Sequence, residues 1–386
     1  MIVGIPKESF PTERRVSIVP AVIPLLSKAG IELLLESSAG ALAGFPDSQY
    51  LNKGARIAKS RAQVLSDAEV LLQVRAPGAA GDAWRADLEF LRAGQTIIGF
   101  SEPLDEPATA KIIAQRGVTT FSMELIPRIA RAQSMDALSS MATIAGYKAT
   151  LLAAETLPRM FPMMITAAGT IAPARVFVVG AGVAGLQAIA SARRLGAKVE
   201  AYDVRPVVKE QVESLGAKFV DLPLETAGAE DAGGYAKAQG DAFYRRQREM
   251  MARVVAGSDV VITTALIPGQ VAPVLITAEM VAGMEPGSVV VDLAAERGGN
   301  CELTHADETT FAEGVTILGP TNLPSTVPYH ASQMYAKNIT TFLLHLIKDG
   351  QLTVDLNDEI TKGTLVSRAG ELVHPRVREA LESQSL

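Results

Sequence analysis

Cysteine is almost missing from this chain. Cys301 stands alone among 386 residues, which excludes a disulfide framework. The four histidines sit at separated positions and supply no metal-ligand cluster. Both scarcities fit a reducing cytoplasm. Aromatic residues make up 5% and charged residues 20%, against 48% hydrophobic, the profile of an Ala- and Val-rich α/β enzyme. Basic charge is not in excess, and the net charge of −6 argues against nucleic acid as a partner. No leader pattern opens the chain, because Met1–Pro6 reads as a short strand followed at once by Lys7 and Glu8. Val260–Ala278 is free of charge and long enough to span a membrane. Pro268, Gly269 and Pro273 interrupt it, so it reads as a buried strand, a loop and a helix start. Parallel sheets covered on both faces produce such strands. The chain thus reads as soluble, with no direct membrane insertion. It carries no Ser/His/Asp set, no paired-carboxylate acid/base arrangement and no GxxxxGK[ST] phosphate loop.

What the chain does have is Gly180-Ala-Gly182-Val183-Ala-Gly185 in a telling setting. An apolar, β-branched run, Ala174–Val179, precedes it. Good helix formers, Leu186–Leu195, follow and stop at Gly196. A second strand, Lys198–Tyr202, then ends in Asp203. Strand, glycine turn, helix, strand and a terminal acid about twenty residues on form a dinucleotide-binding pattern. Gly180 permits the tight turn, Gly182 lets the backbone approach a pyrophosphate, and Gly185 lets helix and strand pack closely. The helix N-terminus offers free N–H groups and partial positive charge to the phosphates. Asp203 can accept both adenosine-ribose hydroxyls. It would repel a 2′-phosphate by roughly 4 kcal/mol per unit charge at about 4 Å and intermediate dielectric. NAD(H) is favoured over NADP(H), although Arg205 is of a type that also serves a 2′-phosphate.

Strand and helix patterns alternate throughout. Strands at Ile2–Pro6, Glu32–Glu36, Ala68–Val74, Thr96–Phe100 and Val118–Phe121 form a first α/β unit without a glycine fingerprint. Ser134–Leu157 reads as one long connecting helix ended by Pro158. Strands at Ala174–Val179, Lys198–Tyr202, Lys218–Val220, Asp259–Ala265, Ser288–Ala294 and Val315–Leu318 complete a doubly wound sheet. A second long helix, Ala331–Lys348, returns the chain to the first unit. The expected fold is α/β, with two doubly wound Rossmann-like domains joined by long helices around a cleft. The first domain is discontinuous, 1–133 plus 331–386, and the second spans 134–330. Leu222–Gly240, with Gly233 and Gly234 ahead of Tyr235, reads as a mobile flap or as a plain surface insertion.

Other segments bear on chemistry. Arg128–Ser139 is polar yet leads straight into the connecting helix. Ser134 and Asp136 are candidate N-caps there. Capping explains Asp136 but not Gln133 beside Arg128 and Arg131, where amide and carboxylate groups can fix a carboxamide such as nicotinamide. Thr264, Ala265 and Leu266 follow the fourth strand of the fingerprint sheet, at the edge where ligands bind in open α/β sheets. Asp292 follows the fifth, and reads equally as a nucleotide contact or a turn cap. Arg15 and Arg75, after early strands, are either binders of a carboxylate substrate or surface arginines.

These residues resemble the alanine dehydrogenase and nicotinamide nucleotide transhydrogenase superfamily over nearly the whole chain. Pro6-Lys7-Glu8 with Glu13-Arg14-Arg15-Val16 is shared by both of its branches. The chain is more similar to the NAD(H)-binding components of proton-translocating transhydrogenases, which in some bacteria form a separate soluble first piece of the alpha subunit. Arg131–Asp136 with Ser139-Ser140, Phe161–Met164 with Ala167–Thr170, and Gly319–Ser325 carry that resemblance. It implies that Arg128, Gln133, Asp136 and Ser139 form a nicotinamide-contacting loop with the catalytic task, that Asp203 is the adenosine-ribose ligand, and that Tyr235 tips a mobile loop. It implies NAD(H) on this chain, NADP(H) on a partner, direct hydride transfer between them, and proton movement through transmembrane subunits. A homodimer held peripherally at the inner face of the membrane is also implied. Alanine dehydrogenases place a catalytic His near the strand here written Ile97–Ser101, and a substrate-binding Lys where Arg75 stands; this chain has neither. An amino-acid dehydrogenase and a non-catalytic NAD(H)-sensing module are the alternative readings.

Overall fold

A computed structural model describes residues 1–221, 240–266 and 269–384 of the chain. These form two compact α/β units, one of residues 1–141 and 324–386, the other of residues 142–323.

The first unit begins with six strands: β1 (Ile2–Ile5), β2 (Glu32–Glu36), β3 (Arg56–Ala58), β4 (Val70–Arg75), β5 (Thr96–Phe100) and β6 (Thr119–Ser122). Arg56–Ala58 escapes a reading by periodicity because it is only three residues long. All six run parallel in the order β3-β2-β1-β4-β5-β6. β4 is apolar along nearly its whole length and buried through Val74, as expected of a strand covered on both faces.

The second unit opens with the latter part of a helix, Ala137–Thr156, that is shorter at both ends than the periodicity predicts. A two-stranded hairpin follows, β7 (Met164–Thr166) and β8 (Gly169–Ile171), paired only with itself. Then come β9 (Arg175–Val179), β10 (Lys198–Tyr202), β11 (Lys218–Phe219), β12 (Val260–Thr263), β13 (Val289–Asp292), β14 (Thr309–Ala312) and β15 (Val315–Leu318). Their order is β11-β10-β9-β12-β13-β15-β14. The first six are parallel and include all six strands read from the sequence; β14 is an antiparallel edge strand. Apolar clusters pack both faces. One gathers Ala149, Ala153, Val176, Val178, Ile189 and Ile262; the other gathers Phe177, Val261, Met251, Val290 and Ile317. Residues alternating along β9 and β12 thus feed opposite layers.

The return helix spans Pro328–Leu346, starting three residues before Ala331. Pro328 occupies its first turn, where a missing N–H costs nothing. A small hairpin, β16 (Ile347–Lys348) and β17 (Gln351–Leu352), ends it. A short helix, Glu359–Thr364, then leads to β18 (Leu365–Arg368) and β19 (Glu371–Leu372). β18 adds antiparallel to β6, so the first unit's sheet is completed by the C-terminal segment. Within Val260–Ala278, β12 covers Val260–Thr263 and a helix starts at the far end, at Ala278–Ala282. Among the described residues no helix is long and apolar enough to cross a membrane.

Candidate functional site

In the second unit the glycine turn joins β9 to a helix at Val183–Arg194. Gly180 adopts φ +97°, a left-handed conformation that favours glycine. A Cβ on Gly185 would stand 1.8 Å from the Gly180 carbonyl oxygen, so helix and turn meet closely only because it is absent. Gly182 differs. It is the N-cap of the helix, no side chain caps the turn, and a Cβ there would meet no atom within 4 Å. No side chain therefore covers the Gly182 backbone at the helix start, as the approach of a pyrophosphate to that end requires. Val183 begins the helix, and Arg193 and Arg194 close it, complementing its dipole.

Asp203 follows β10 and is 8% exposed. Its Oδ2 accepts from the Ala181 N–H at 2.7 Å, which ties the end of β10 to the glycine turn. The Arg205 side chain forks onto the same carboxylate, Nε to Oδ1 at 2.9 Å and Nη2 to Oδ2 at 2.8 Å. Asp203 is thus already paired with a cation, so the repulsion expected of a bare carboxylate toward a 2′-phosphate is offset by Arg205.

Thr264 and Ala265 lie beside the turn. The Thr264 hydroxyl donates to the Gly180 carbonyl at 3.1 Å, and Leu266 is 39% exposed. A residue outside the candidate set holds this loop. Buried Asn300 accepts from the Ala265 N–H and donates to the carbonyls of Ala265 and Pro273, each at 2.9 Å. No local sequence pattern points to it, because its partners lie 27 to 35 residues away. Asp292 takes the turn-cap role of its two readings. It is fully buried; Oδ1 accepts from the Ala294 N–H, and Oδ2 from the Cys301 N–H and the Thr304 hydroxyl. Both of its oxygens thus have partners within the turn. Tyr235, with Gly233 and Gly234, lies outside the described residues.

In the first unit a 3₁₀ turn, Ala130–Met135, precedes the helix at Ala137–Thr156. Asp136 caps that helix: Oδ1 accepts from the Ser139 N–H at 2.8 Å and Oδ2 from its hydroxyl at 2.5 Å. The expected cap is present, and it brings Asp136 and Ser139 together. Arg128 and Gln133 are exposed on the same segment.

Arg15 and Arg75 are not surface arginines. Glu13, fully buried, accepts from Arg15 Nε at 2.7 Å and Nη2 at 2.5 Å, and from Arg75 Nε at 3.2 Å. Burial pushes the Glu13 carboxyl up, but Arg15 and then Arg75 outweigh it and hold it at about 2. Arg75 also covers the Phe10 ring at 4.3 Å and reaches toward Glu102. Two further acids, both half-buried, stand at these strand ends. Glu8 accepts from the N–H groups of Val74 and Arg75, and Glu124 from those of Ser101 and Glu102 and from the Ser122 hydroxyl. Burial pushes both carboxyls up to about 7. The residues missed by sequence reasoning here are Glu8, Glu13 and Glu124. The first two lie inside Pro6–Glu8 and Glu13–Val16, segments that mark the family without showing which charges pair. His330 is exposed in the first turn of the return helix, edge-on to Tyr329.

Comparison with known proteins places these features in a lineage. The model of the alanine dehydrogenase/PNT N-terminal domain matches residues 4–145, and that of the alanine dehydrogenase/PNT C-terminal domain matches residues 149–375. A Rhodospirillum rubrum protein, named as the first part of NAD(P) transhydrogenase subunit alpha, is 47% identical, over 97% of this chain and 98% of that protein. A transhydrogenase crystal structure from Sinorhizobium meliloti superposes with a TM-score of 0.86 at 44% identity, covering 97% of this chain and all of that one. An L-alanine dehydrogenase structure superposes with a TM-score of 0.83 at 25% identity, covering 99% of both chains. The chain therefore belongs to the alanine dehydrogenase/PNT family, on the side of its transhydrogenase alpha subunits.

Proposed function

We propose that this chain is the NAD(H)-binding component of a proton-translocating transhydrogenase. It holds NADH and passes the hydride directly to NADP⁺ carried by a partner subunit. The unobstructed helix N-terminus at Gly182, with Asp203 tied to the same turn, supports dinucleotide binding. Gly180, Gly182, Val183 and Gly185 would cradle the pyrophosphate, Asp203 the adenosine ribose, and Thr264, Ala265 and Leu266 the adjoining edge. Arg128, Gln133, Asp136 and Ser139 would contact the nicotinamide end. The bound nucleotide supplies the hydride. The chain's own residues bind, orient and exclude water, and direct hydride transfer needs no acid or base from them.

One observation carries the choice between the two enzymatic branches. Arg15 and Arg75, the arginines suited to a substrate carboxylate, are both paired with buried Glu13, which offsets their charge. An amino-acid dehydrogenase needs such charge free, together with a group to manage the substrate's proton. Ser101 follows β5 where that branch has its His, and the Glu124 oxygens are taken up by three donors. Mixing the purified chain with an NADP(H)-binding transhydrogenase component and following hydride transfer from NADH tests the reading. We further propose a homodimer, cytoplasmic and held at the membrane only through transmembrane partner subunits. The self-paired hairpin β7–β8 supports a subunit contact, because Met164 and Ile165 leave 39% and 77% of their surface exposed.

A further inference from the structure

The turn Ala130–Met135 is short, polar and largely exposed, yet it is held at two points by residues more than 200 positions away. Near its start, Arg131 Nη1 donates to Asp358 Oδ1 at 2.8 Å. Near its end, the Ser134 carbonyl accepts from Asn338 Nδ2 at 2.9 Å. Both anchors sit in helical segments. Asn338 lies in the return helix and is 6% exposed. Asp358 is the N-cap of the helix Glu359–Thr364, and its Oδ2 accepts from the Thr361 N–H, the Thr361 hydroxyl and His345 Nε2. Burial pushes the Asp358 carboxyl up, but the Thr361 donors, His345 and Arg131 outweigh it and keep it ionised, well below the usual carboxylate range.

We propose that Asp358 and Asn338 are positioning residues that clamp this turn from the C-terminal segment and so fix the orientation of Gln133. The proposal rests on the reading that the turn contacts the nicotinamide. The physical logic is one of pre-orientation rather than strength. Arg131 keeps 58% of its side chain in water, and an exposed ion pair contributes little stability. A carboxylate already locked by three other donors nevertheless offers Arg131 one direction. Asn338 fixes the other end of the same turn. Two fixed points within four residues leave the turn little freedom to rotate. A group that must hold a ring in near-attack geometry gains from that restriction, because a displacement of about 1 Å can cost ~100-fold in rate.

Asp358→Asn is the informative change. Asn is as good an N-cap as Asp, so the helix Glu359–Thr364 keeps its start while the charge that aims Arg131 is lost. Asn338→Ala removes the second point. The full chain and each variant would be compared by hydrogen exchange of the amides of residues 130–136 without nucleotide. NADH affinity, the fluorescence lifetime of bound NADH, and kcat for hydride transfer to NADP⁺ on an NADP(H)-binding component would follow, with Gln133→Ala as reference. The clamp predicts faster exchange in the turn, NADH affinity within about twofold, an altered lifetime, and kcat lowered by about tenfold in each variant. Arg131→Ala combined with Asp358→Asn should be no slower than either alone. Unchanged exchange and full rate in Asp358→Asn and Asn338→Ala, while Gln133→Ala is slow, would overturn the clamp and leave the reading of the turn standing. Full rate in Gln133→Ala would overturn that reading, and the clamp's role with it.

Discussion

At the end of β10 the Asp203 carboxylate is engaged on both oxygens by its own chain, through Ala181 and Arg205. Its position was legible in the sequence, since a fingerprint counts forward to it. The degree of its neutralisation was not, because that depends on the fork of Arg205 folding back rather than outward. The chain should bind NADH more tightly than NADPH. Asp203→Ala should weaken NADH by roughly tenfold and narrow the preference. Arg205→Ala should widen it, because the carboxylate then meets a 2′-phosphate without its counter-ion. Titration of NADH fluorescence and competition by NADPH would read all three; equal affinities in the unmutated chain would refute the assignment. The glycines separate in the same way. Gly182→Ala meets open space and should leave the melting temperature unchanged while weakening NADH. Gly185→Ala drives a methyl into the Gly180 carbonyl and should destabilise the fold itself, by about 1–3 kcal/mol or more. Thermal melts paired with NADH titrations distinguish the two; a stable, tight-binding Gly182→Ala would argue against phosphate approach there.

At the scale of elements, long periodic segments were readable and short or distant ones were not. The six parallel strands of the second unit declare themselves by apolar runs between turn residues. β3, β14, β18 and β19 do not, being short or half-exposed strands toward the sheet edges whose pairing partners, not their composition, create them. The helix at Ala137–Thr156 hides another such dependence. A Cβ on Gly146 would stand 2.0 Å from the Ala184 carbonyl oxygen, so this helix lies against the fingerprint helix only through a glycine that looks ordinary in sequence. The ionic groups gathered at the ends of β1, β4, β5 and β6 impose a pH signature on the first unit. Glu13 is held at about 2, below its unfolded value, so the stability it contributes is present above pH 4.5 and lost as pH falls toward 2. Glu8 and Glu124 are raised to about 7, so the folded state retains their protons. Stability then falls as pH rises from 4.5 through about 7, by on the order of 3 kcal/mol for each of these carboxyls. Thermal melts across roughly pH 3–8 should peak near about pH 4–5. Stability that climbs steadily to about pH 8 would contradict these roles of Glu8 and Glu124.

At the scale of the whole molecule, two α/β units are assembled from one chain, and only the second carries a glycine fingerprint. The first unit's strand ends carry internal ion pairs instead. Gly180–Gly185 and Arg131–Asp136 made the family legible before any coordinates. What the sequence did not disclose was that Glu13 pairs with both Arg15 and Arg75, a fact of three-dimensional pairing. His330, a further titratable group of the first unit, is exposed at a helix start. The most direct measurement is a paired assay of the purified chain. One arm offers L-alanine and NAD⁺ to the chain alone. The other offers NADH to the chain together with an NADP⁺-loaded, NADP(H)-binding transhydrogenase component. A transhydrogenase component gives no NAD⁺ reduction by alanine in the first arm and hydride transfer to NADP⁺ in the second. Robust alanine oxidation by the chain alone, with no transfer in the presence of the partner, would contradict that assignment.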